Sequence, residues 1–453
     1  SPHYNLRSIP SRPPILIYNT PPLLPVFYPY LCHLKRKTQV NVESSISHIL
    51  VSLKTRNFRL YFTGMCVSLT GTWMQQIAMS WLVYELTGSV LLLATITFVA
   101  QIPILIATPF MSVFVDRFDR HKILLFTQAL SAFQALLLAW LTLSGLVEVW
   151  HLIALSLFIG LINALDNPTR QAFYPSLVPK ENLSNAIALN SAVINGSRLF
   201  GPAIGGVLIG LVGEGICFLL NGISYLGVII ALLVMQLPTH KAKGEKQHIW
   251  HDLQEGFNYV SHHIPIRTLL MLMAAISFFG LPLMTFLPAY VKDILNGGSE
   301  LLGILLSCIG IGSFSAAIYL AARKSVSGLS KVIMSAALIL GISLLLLSFT
   351  NIPWMAAVVC IPAGYSLIIT VASINTLLQT FSDEDKRGRV MGYLAMTFTG
   401  IAPIGSMILG VIEKYTGLPL IILISGIACI FAGGIFEYNR PRIIRHAHPS
   451  ASE

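Results

Sequence analysis

Runs of about twenty apolar residues recur from Phe58 to Phe436, and this repetition constrains the fold more than any other feature of the chain. A helix needs about twenty such residues to cross the ~30 Å hydrocarbon core of a bilayer. Only 11% of the 453 residues are charged, whereas soluble domains carry about a quarter. The sequence lacks the ten-residue alternation of apolar and polar positions that is typical of a membrane β-barrel. It therefore predicts an all-α membrane protein that crosses the bilayer many times.

We predict twelve transmembrane helices in two pseudo-symmetric six-helix bundles. The predicted spans are 59–84, 90–114, 123–143, 149–171, 184–212, 215–235, 267–289, 301–321, 332–349, 352–378, 389–412 and 418–437. The predicted domains are a disordered or mis-called N-terminal extension (1–57), an N-terminal bundle (58–237), a cytoplasmic linker (238–266), a C-terminal bundle (267–438) and a cytoplasmic tail (439–453). Within the linker, Ile249, Leu253, Phe257 and Val260 have the spacing of a short amphipathic helix on the membrane surface.

Two short matches indicate that the halves are related by duplication. "NPTRQAF" (167–173) closes predicted span four and "NTLLQTF" (375–381) closes span ten, with Asn, Gln and Phe at one spacing. Pro202 of span five likewise corresponds to Pro403 of span eleven. Internal repeats of this kind underlie many transporter folds.

The net charge of +10 is explained by topology. From Lys54 onward, lysines and arginines fall in alternate connections or at their membrane edges, with Arg198, Lys292 and Lys414 as exceptions. This pattern predicts a multi-pass protein of the cell membrane with both termini cytoplasmic. It gives no reason to expect a nucleic-acid partner.

Chemistry-bearing motifs are missing from the sequence. The six cysteines and twelve histidines do not form a CxxC, HExxH or Cys/His cluster, so neither a metal site nor a disulfide framework is indicated. A Walker A phosphate loop is also absent. We therefore expect no cofactor, no metal and no enzymatic activity.

Charged residues cluster at the inner ends of spans two and four. In "SVFVDRFDRHK" (112–122), Asp116 and Arg120 stand one helical turn apart, where they could hold helices together or form an ordinary solvated turn. Asp166 and Arg170 are four residues apart on span four, so they could pair with each other or take part in a contact between helices.

The stretch "SRLFGPAIGG" (197–206) puts a proline, glycines and an arginine inside a spanning helix. Pro202 lacks an N–H and frees the carbonyl of residue 198, and small residues let another helix approach closely. Gly201, Gly205 and Gly206 then predict tight packing against the small residues of span eight, although an ordinary kink would also explain them. Arg198 lies near mid-membrane and is either a site for an anionic or polar substrate or a structural anchor.

Several motifs in the same order resemble the major facilitator superfamily, in particular its exporter branch that includes the enterobactin exporter. Asp116-Arg117-x-x-Arg120-x-Lys122 resembles the loop motif after helix two, and Gly201-Pro202-x-x-Gly205-Gly206 resembles the antiporter motif of helix five. The stretches "DNPTRQAFYPSLVP" and "DKRGRVMG" are also similar to that branch. Ser112 and Ser197 depart from the motifs, which have glycine there.

The resemblance implies a latch on the cytoplasmic side, formed by Asp116, Arg117, Arg120, Lys122, Asp166 and Arg170. In it, Asp116 would cap helix eleven around 388–391 and Arg120 would pair with Asp166. The resemblance also implies that helices one, four, seven and ten line the substrate cavity, with Gln75, Gln76, Asn163, Phe278, Tyr365 and Asn375 as candidate lining residues beside Arg198.

These observations predict a secondary active transporter that works by alternating access. The expected activity is proton-coupled efflux of a small amphipathic organic molecule, drug-like or siderophore-like. The alternatives are a non-transporting receptor or scaffold on the same fold, and an importer or uniporter of a small polar solute. We expect a monomer whose partners are its substrate, the lipid bilayer and protons.

Overall fold

The computed structural model of the chain describes residues 51–115, 117–235, 249–323 and 325–447. Asp116, residues 1–50 of the predicted extension, residues 238–248 of the linker and the end of the tail lie outside the described residues. The chain divides into residues 1–51 and a unit of residues 52–453. The helices below all belong to the second unit.

The first half consists of α1 (Arg56–Thr87), α2 (Val90–Val115), α3 (Arg120–Leu143), α4 (Val149–Phe173), α5 (Leu183–Val212) and α6 (Glu214–Val234). A separate helix, α7 (Ile249–His262), occupies the linker. The second half consists of α8 (Ile264–Ala275), α9 (Pro282–Ala289), α10 (Ser299–Ala322), α11 (Leu329–Phe349), α12 (Pro353–Phe381), α13 (Arg387–Thr416) and α14 (Leu418–Ala447). The described residues contain no strand.

Eleven helical segments of the described chain are long and apolar enough to cross a membrane. They correspond to predicted spans two to twelve. Predicted span one corresponds to α1. This helix has 32 residues, which make about 48 Å of helix, and it packs against α5 and α6. Its threonines, serines and paired glutamines make it more polar than the other spans.

Predicted span seven is one span built from two α-helices, each followed by a wider turn. Its π-helical turns are Ile276–Gly280 and Tyr290–Ile294, which follow α8 and α9. Pro282 lacks an N–H and its ring displaces the carbonyl of Phe278, four residues earlier, which accounts for the first widened turn. A side chain at Gly405 of α13 would meet that carbonyl oxygen at 2.3 Å. The glycine therefore lets α13 pack directly on the widened turn.

The packing inside the two halves follows one pattern. In the first half α2 packs on α4, α3 on α6 and α1 on α6; the equivalent pairs in the second half are α10 on α12, α11 on α14 and α8 on α14. The main contacts between halves, α5 with α10 and α2 with α13, are also equivalent to each other. This is the arrangement expected of two pseudo-symmetric six-helix bundles.

Two sides of the membrane can be distinguished from the connections. The chain from Val234 to Ile249 joins the halves, and we call the side on which α6 ends the linker side. The opposite side is called the far side. Because α5 runs from the linker side to the far side, Gly206 lies in its far half, beyond Arg198.

Candidate functional site

The halves meet most closely where α5 crosses α10, on the far side, and we call this contact the seam. A Cβ built on Gly206 would lie 2.6 Å from the Cα of Gly303 and 2.7 Å from the carbonyl oxygen of Ser299. Conversely, a Cβ on Gly303 would lie 2.9 Å from the Cα of Gly206. The two backbones therefore touch because neither residue has a side chain.

The glycines of α5 do not all serve the seam. A Cβ on Gly201 would lie 2.6 Å from the Cβ of Trp73, and one on Gly205 would lie 3.3 Å from the Cα of Met74, so both face α1 within the first half. The prediction that these two pack on span eight is wrong, because adjacent residues of a helix point in different directions. Gly206 faces span eight as predicted, and the carbonyl of Pro202 lies on the same side, against Gly303.

Further contacts between halves lie on the far side. The Tyr84 hydroxyl at the end of α1 donates a hydrogen bond to the Asp293 carboxylate of the second half. A Cβ on Gly410 of α13 would lie 3.2 Å from the Cβ of Ala94 in α2. Toward the linker side, side chains built on Gly196 and Gly392 would meet no heavy atom within 4 Å in the described structure. The close contacts between the halves therefore extend from the far side to mid-helix, where a Cβ on Gly310 of α10 would lie 2.7 Å from the Leu199 side chain of α5.

The predicted latch is only partly described, because Asp116 lies outside the described residues. Nη1 of Arg120 donates a hydrogen bond to the carbonyl oxygen of Ala172 at 3.0 Å. Asp166 forms an ion pair with Arg170. The expected pair between Arg120 and Asp166 is wrong for this conformation, since Arg170, one turn away on α4, holds the carboxylate.

Asp166 belongs to a buried polar cluster within the first half. Its carboxylate accepts hydrogen bonds from Thr127 Oγ1 at 2.6 Å and Gln128 Nε2 at 3.0 Å, both on α3. Arg170 also contacts the Met65 sulfur of α1 at 3.5 Å. These contacts join α1, α3 and α4, so the cluster holds one bundle together. The other members of the predicted latch, Arg117 and Lys122, are exposed on the linker side.

Gln75, a predicted cavity residue, is engaged inside the first half. Its Nε2 donates to Gln134 Oε1 at 3.1 Å, and its Oε1 accepts from Asn221 Nδ2 at 2.7 Å. Both amide atoms are therefore used to join α1 to α3 and α6. The next residue, Gln76, is exposed, which leaves its amide accessible.

The remaining cavity candidates are all partly exposed, but none of them lines the apolar cavity beside α1. They are Asn163, Phe278, Tyr365 and Asn375. The cavity, of about 840 Å³, lies between α1, α5 and α6 and is lined by apolar side chains such as Val67, Ile204 and Ile230. These three side chains are exposed, so this cavity suits lipid chains better than a polar substrate.

Arg198 is a mid-membrane cation without an acidic partner in the described structure. Its guanidinium carbon lies 5.0 Å from the ring centroid of Trp73, and its Nε is buried without a hydrogen-bond partner. Two asparagines of the same helix are engaged elsewhere, since Asn190 accepts from the Tyr174 hydroxyl and Asn195 donates to the Ser191 carbonyl.

Packing at Gly201 explains why Trp73 lies under Arg198. The close approach of α1 to α5 at this glycine brings the indole against the guanidinium, and Thr70 and Ser197 are hydrogen-bonded beside them at 3.2 Å. A cation–π contact contributes about 0.5–2 kcal/mol, whereas a cation at the centre of a bilayer costs at least ~2.5–3.5 kcal/mol by insertion scales. Trp73 alone therefore leaves the charge incompletely compensated.

The linker helix α7 binds to the start of α13, a contact that the hydrophobic pattern did not reveal. Glu255 forms ion pairs with Lys386 and, at 2.7 Å, with Nη1 of Arg389. The Tyr259 hydroxyl donates a hydrogen bond to Asp383 at 3.0 Å. The hydrogen bond from Lys386 lowers the pKa of Glu255, and the same contact raises the pKa of Lys386. The predicted helix is thus confirmed, and charged contacts orient it.

This fold, with its seam of glycines between two halves, is that of a major facilitator superfamily transporter. Solved structures with the same fold include a bacterial homologue of the iron transporter ferroportin in an inward-facing state, with a TM-score of 0.65 and 19% identity over 84% of this chain and 98% of that one. A POT family transporter in complex with 5-aminolevulinic acid has a TM-score of 0.69 and 12% identity over 86% and 97%.

Residues 47–450 match the family described as transmembrane secretion effector, and the chain belongs to this family. The staphyloferrin A transporter of Staphylococcus aureus (strain NCTC 8325 / PS 47) is 24% identical over 84% of this chain and 95% of its own length. The multidrug efflux pump Tap of Mycolicibacterium fortuitum is 23% identical over 80% and 92%. The macrolide efflux protein A of Streptococcus pyogenes is 24% identical over 83% and 96%. The chain is therefore a multi-pass membrane transporter and not an enzyme.

Proposed function

We propose that this transporter exports a small amphipathic organic molecule by alternating access, with proton antiport as the driving reaction. The observation that carries the proposal is the backbone contact between Gly206 and Gly303, on the far side. A contact without side chains between two bundles can separate and re-form without unpairing polar groups. The seam is thus suited to two rigid halves that rock against each other.

The direction of transport is supported by two of the relatives, whose names describe a multidrug efflux pump and a macrolide efflux protein. Under this proposal the linker side is cytoplasmic, both termini lie there, and the protein acts as a monomer in the cell membrane. The described structure, joined on the far side, corresponds to the state that receives substrate from the cytoplasm.

One observation favours a second candidate, a carrier that is not coupled to protons. Asp166 is an acid within a described span, and it is held by Arg170 and two hydrogen bonds. A carboxylate that must bind and release protons needs access to both sides of the membrane. Asp166 is 1% exposed and so lacks this access. Its burial favours uniport as the alternative mechanism.

Transport of fluorescent dyes into inside-out vesicles tests both candidates. Vesicles that contain the full chain are given ethidium or 8-anilinonaphthalene-1-sulfonate, with an acidic lumen imposed. We expect accumulation that collapses when nigericin removes the pH gradient, and none with Gly206→Val. Accumulation that equilibrates without regard to the gradient would establish uniport, and equal signals from wild type and empty vesicles would refute transport of these dyes.

A further inference from the structure

We infer that Arg198 and Trp73 form the binding site for a carboxylate group of the transported molecule. The inference rests on the proposed transport function and adds to it the chemical class of the substrate, an amphipathic organic anion. Its starting point is a mid-membrane guanidinium whose contact in the described structure is an aromatic ring rather than an acid.

The position of Arg198 within α5 places it far from either membrane surface. It is the sixteenth of the 30 residues of the helix, so each end lies about 20 Å away along the axis. Lipid headgroups lie at the membrane surface, and a small anion bound between the halves reaches this depth more directly. The depth therefore favours a transported molecule over a lipid phosphate.

Trp73 lies on the face of α1 that is directed toward the other half. Tyr84, which donates a hydrogen bond to Asp293 across the halves, follows Trp73 by eleven residues, about three full helical turns, so the two share a face. Arg198 itself lies eight residues, or ~12 Å, from Gly206 toward the linker side. The pair therefore lies on the linker side of the seam. In a protein whose halves are joined on the far side, a substrate that enters from the linker side would reach this position and could go no further.

Access to the guanidinium comes from its partial exposure. Nε is buried and unpaired, whereas the side chain as a whole is partly exposed. Near it, Gly196 faces open space in the described structure, and the exposed amide of Gln76 lies one turn along α1 from Trp73. A carboxylate that reached Arg198 would accept two parallel hydrogen bonds from the fork of the guanidinium, a geometry that lysine cannot supply.

The two acids described above do not neutralise Arg198, because each of them has another partner. Asp166 is paired with Arg170, and Asp293 accepts from Tyr84 on the far side. An arginine with only structural duty would be expected to have a carboxylate or carbonyl partner within the protein. The geometry instead leaves the strongest interaction of this guanidinium open for a ligand.

Three ligands that share one apolar body test the inference. They are 4-phenylbutyrate, 4-phenylbutanol and 4-phenylbutylammonium, measured by equilibrium dialysis against the purified full chain in detergent. We expect the carboxylate to bind the wild type about ten-fold or more tightly than the other two, since a hydrogen bond to a charged group contributes that much. No preference for the carboxylate, or no binding of it up to its solubility limit, would overturn the inference.

Substitutions assign the preference to the site. Arg198→Gln should lower phenylbutyrate affinity about ten-fold or more and leave phenylbutanol binding unchanged, which also reports that the variant is folded. Arg198→Lys should keep part of the preference, whereas the control Arg267→Gln, at the start of the second half, should keep all of it. Retention of the full preference by Arg198→Gln would refute the assignment.

A lipid arm distinguishes a transported anion from a bound headgroup. The same dialysis is performed in nanodiscs of phosphatidylcholine, with and without phosphatidylglycerol. Competition by phosphatidylglycerol that disappears in Arg198→Gln would assign the site to a lipid phosphate and overturn the inference. Because dialysis needs no gradient and no flux, anion-selective binding without transport would refute the proposed function alone, and transport without anion selectivity would refute this site alone.

Discussion

Gly206→Ala is expected to separate the two halves on the far side. Its added Cβ would lie 2.6 Å from the Cα of Gly303 and 2.7 Å from the carbonyl oxygen of Ser299. Carbon atoms in contact prefer about 3.5–4.0 Å, so α5 and α10 must move apart by about 1 Å. Both obstacles are backbone atoms, which cannot rotate out of the way as a side chain can.

The size of the effect follows from the cost of overpacking, typically about 1–3 kcal/mol. Alanine also favours a helix over glycine by about 1 kcal/mol, but that gain applies in every conformation in which α5 is helical. Only the clash depends on whether the seam is closed. The population joined on the far side should therefore fall by about 5-fold to 150-fold relative to an open one.

Electron–electron distance measurements between two nitroxides report this change directly. Labels at Val212 and Ile304, both exposed on the far side, are introduced into a cysteine-free background, and the distances are compared with and without Gly206→Ala. We expect a longer distance to become dominant. The matched control is Gly205→Ala, whose Cβ would meet Met74 of the same half at 3.3 Å. An unchanged distribution in Gly206→Ala, or equal changes in both variants, would refute the reasoning.

Three further substitutions test separate parts of the structure. Asp166→Asn leaves Arg170 buried beside a neutral amide and should lower the free energy of unfolding, measured in detergent, by about 3–5 kcal/mol; a loss no greater than that of Arg120→Gln would contradict this. Gly364→Ala places a Cβ 2.1 Å from a backbone carbonyl of α10 and should lower the unfolding temperature or prevent folding, whereas wild-type stability would contradict the close packing. Glu255→Gln should increase hydrogen exchange in α7, because it removes the charged contacts that dock the helix. The pKa of Glu255 is lowered in the docked state, so docking of the wild type should be complete above the ordinary carboxyl pKa and lost only as the pH falls through the lowered value. Release of α7 near neutral pH would contradict this role of Glu255.

The apolar runs were sufficient to predict the helices because each span in a bilayer must satisfy its own backbone hydrogen bonds. Predicted span seven shows the limit of this rule. Its hydropathy marks one continuous helix, but Pro282 introduces a widened turn that Gly405 of α13 accommodates. The position of the turn could have been inferred from the proline, whereas the packing partner depends on tertiary structure.

Site residues were harder to predict because neighbouring residues of one helix serve different partners. Gly205 and Gly206 look equivalent in the sequence, yet one faces α1 and the other faces α10. Gln75 and Gln76 differ in the same way, since Gln75 is hydrogen-bonded to Gln134 and Asn221 inside the first half, whereas Gln76 is exposed. The direction of each side chain depends on how far each helix is rotated about its own axis relative to its neighbours. An irregular pattern of small and polar residues does not define this rotation.

A reversible cross-link between Tyr84→Cys and Asp293→Cys tests the central claim that the halves move about the seam. Their side chains are hydrogen-bonded across the far side, and the tyrosine ring lies between the two backbones, which is too wide a gap for a direct disulfide. A bifunctional methanethiosulfonate reagent with a spacer of matching length should therefore join the two cysteines in a cysteine-free background. We expect the cross-link to stop dye accumulation in vesicles and reduction, which cleaves its mixed disulfides, to restore it. Dye accumulation at the full rate with the cross-link fully formed would contradict the account.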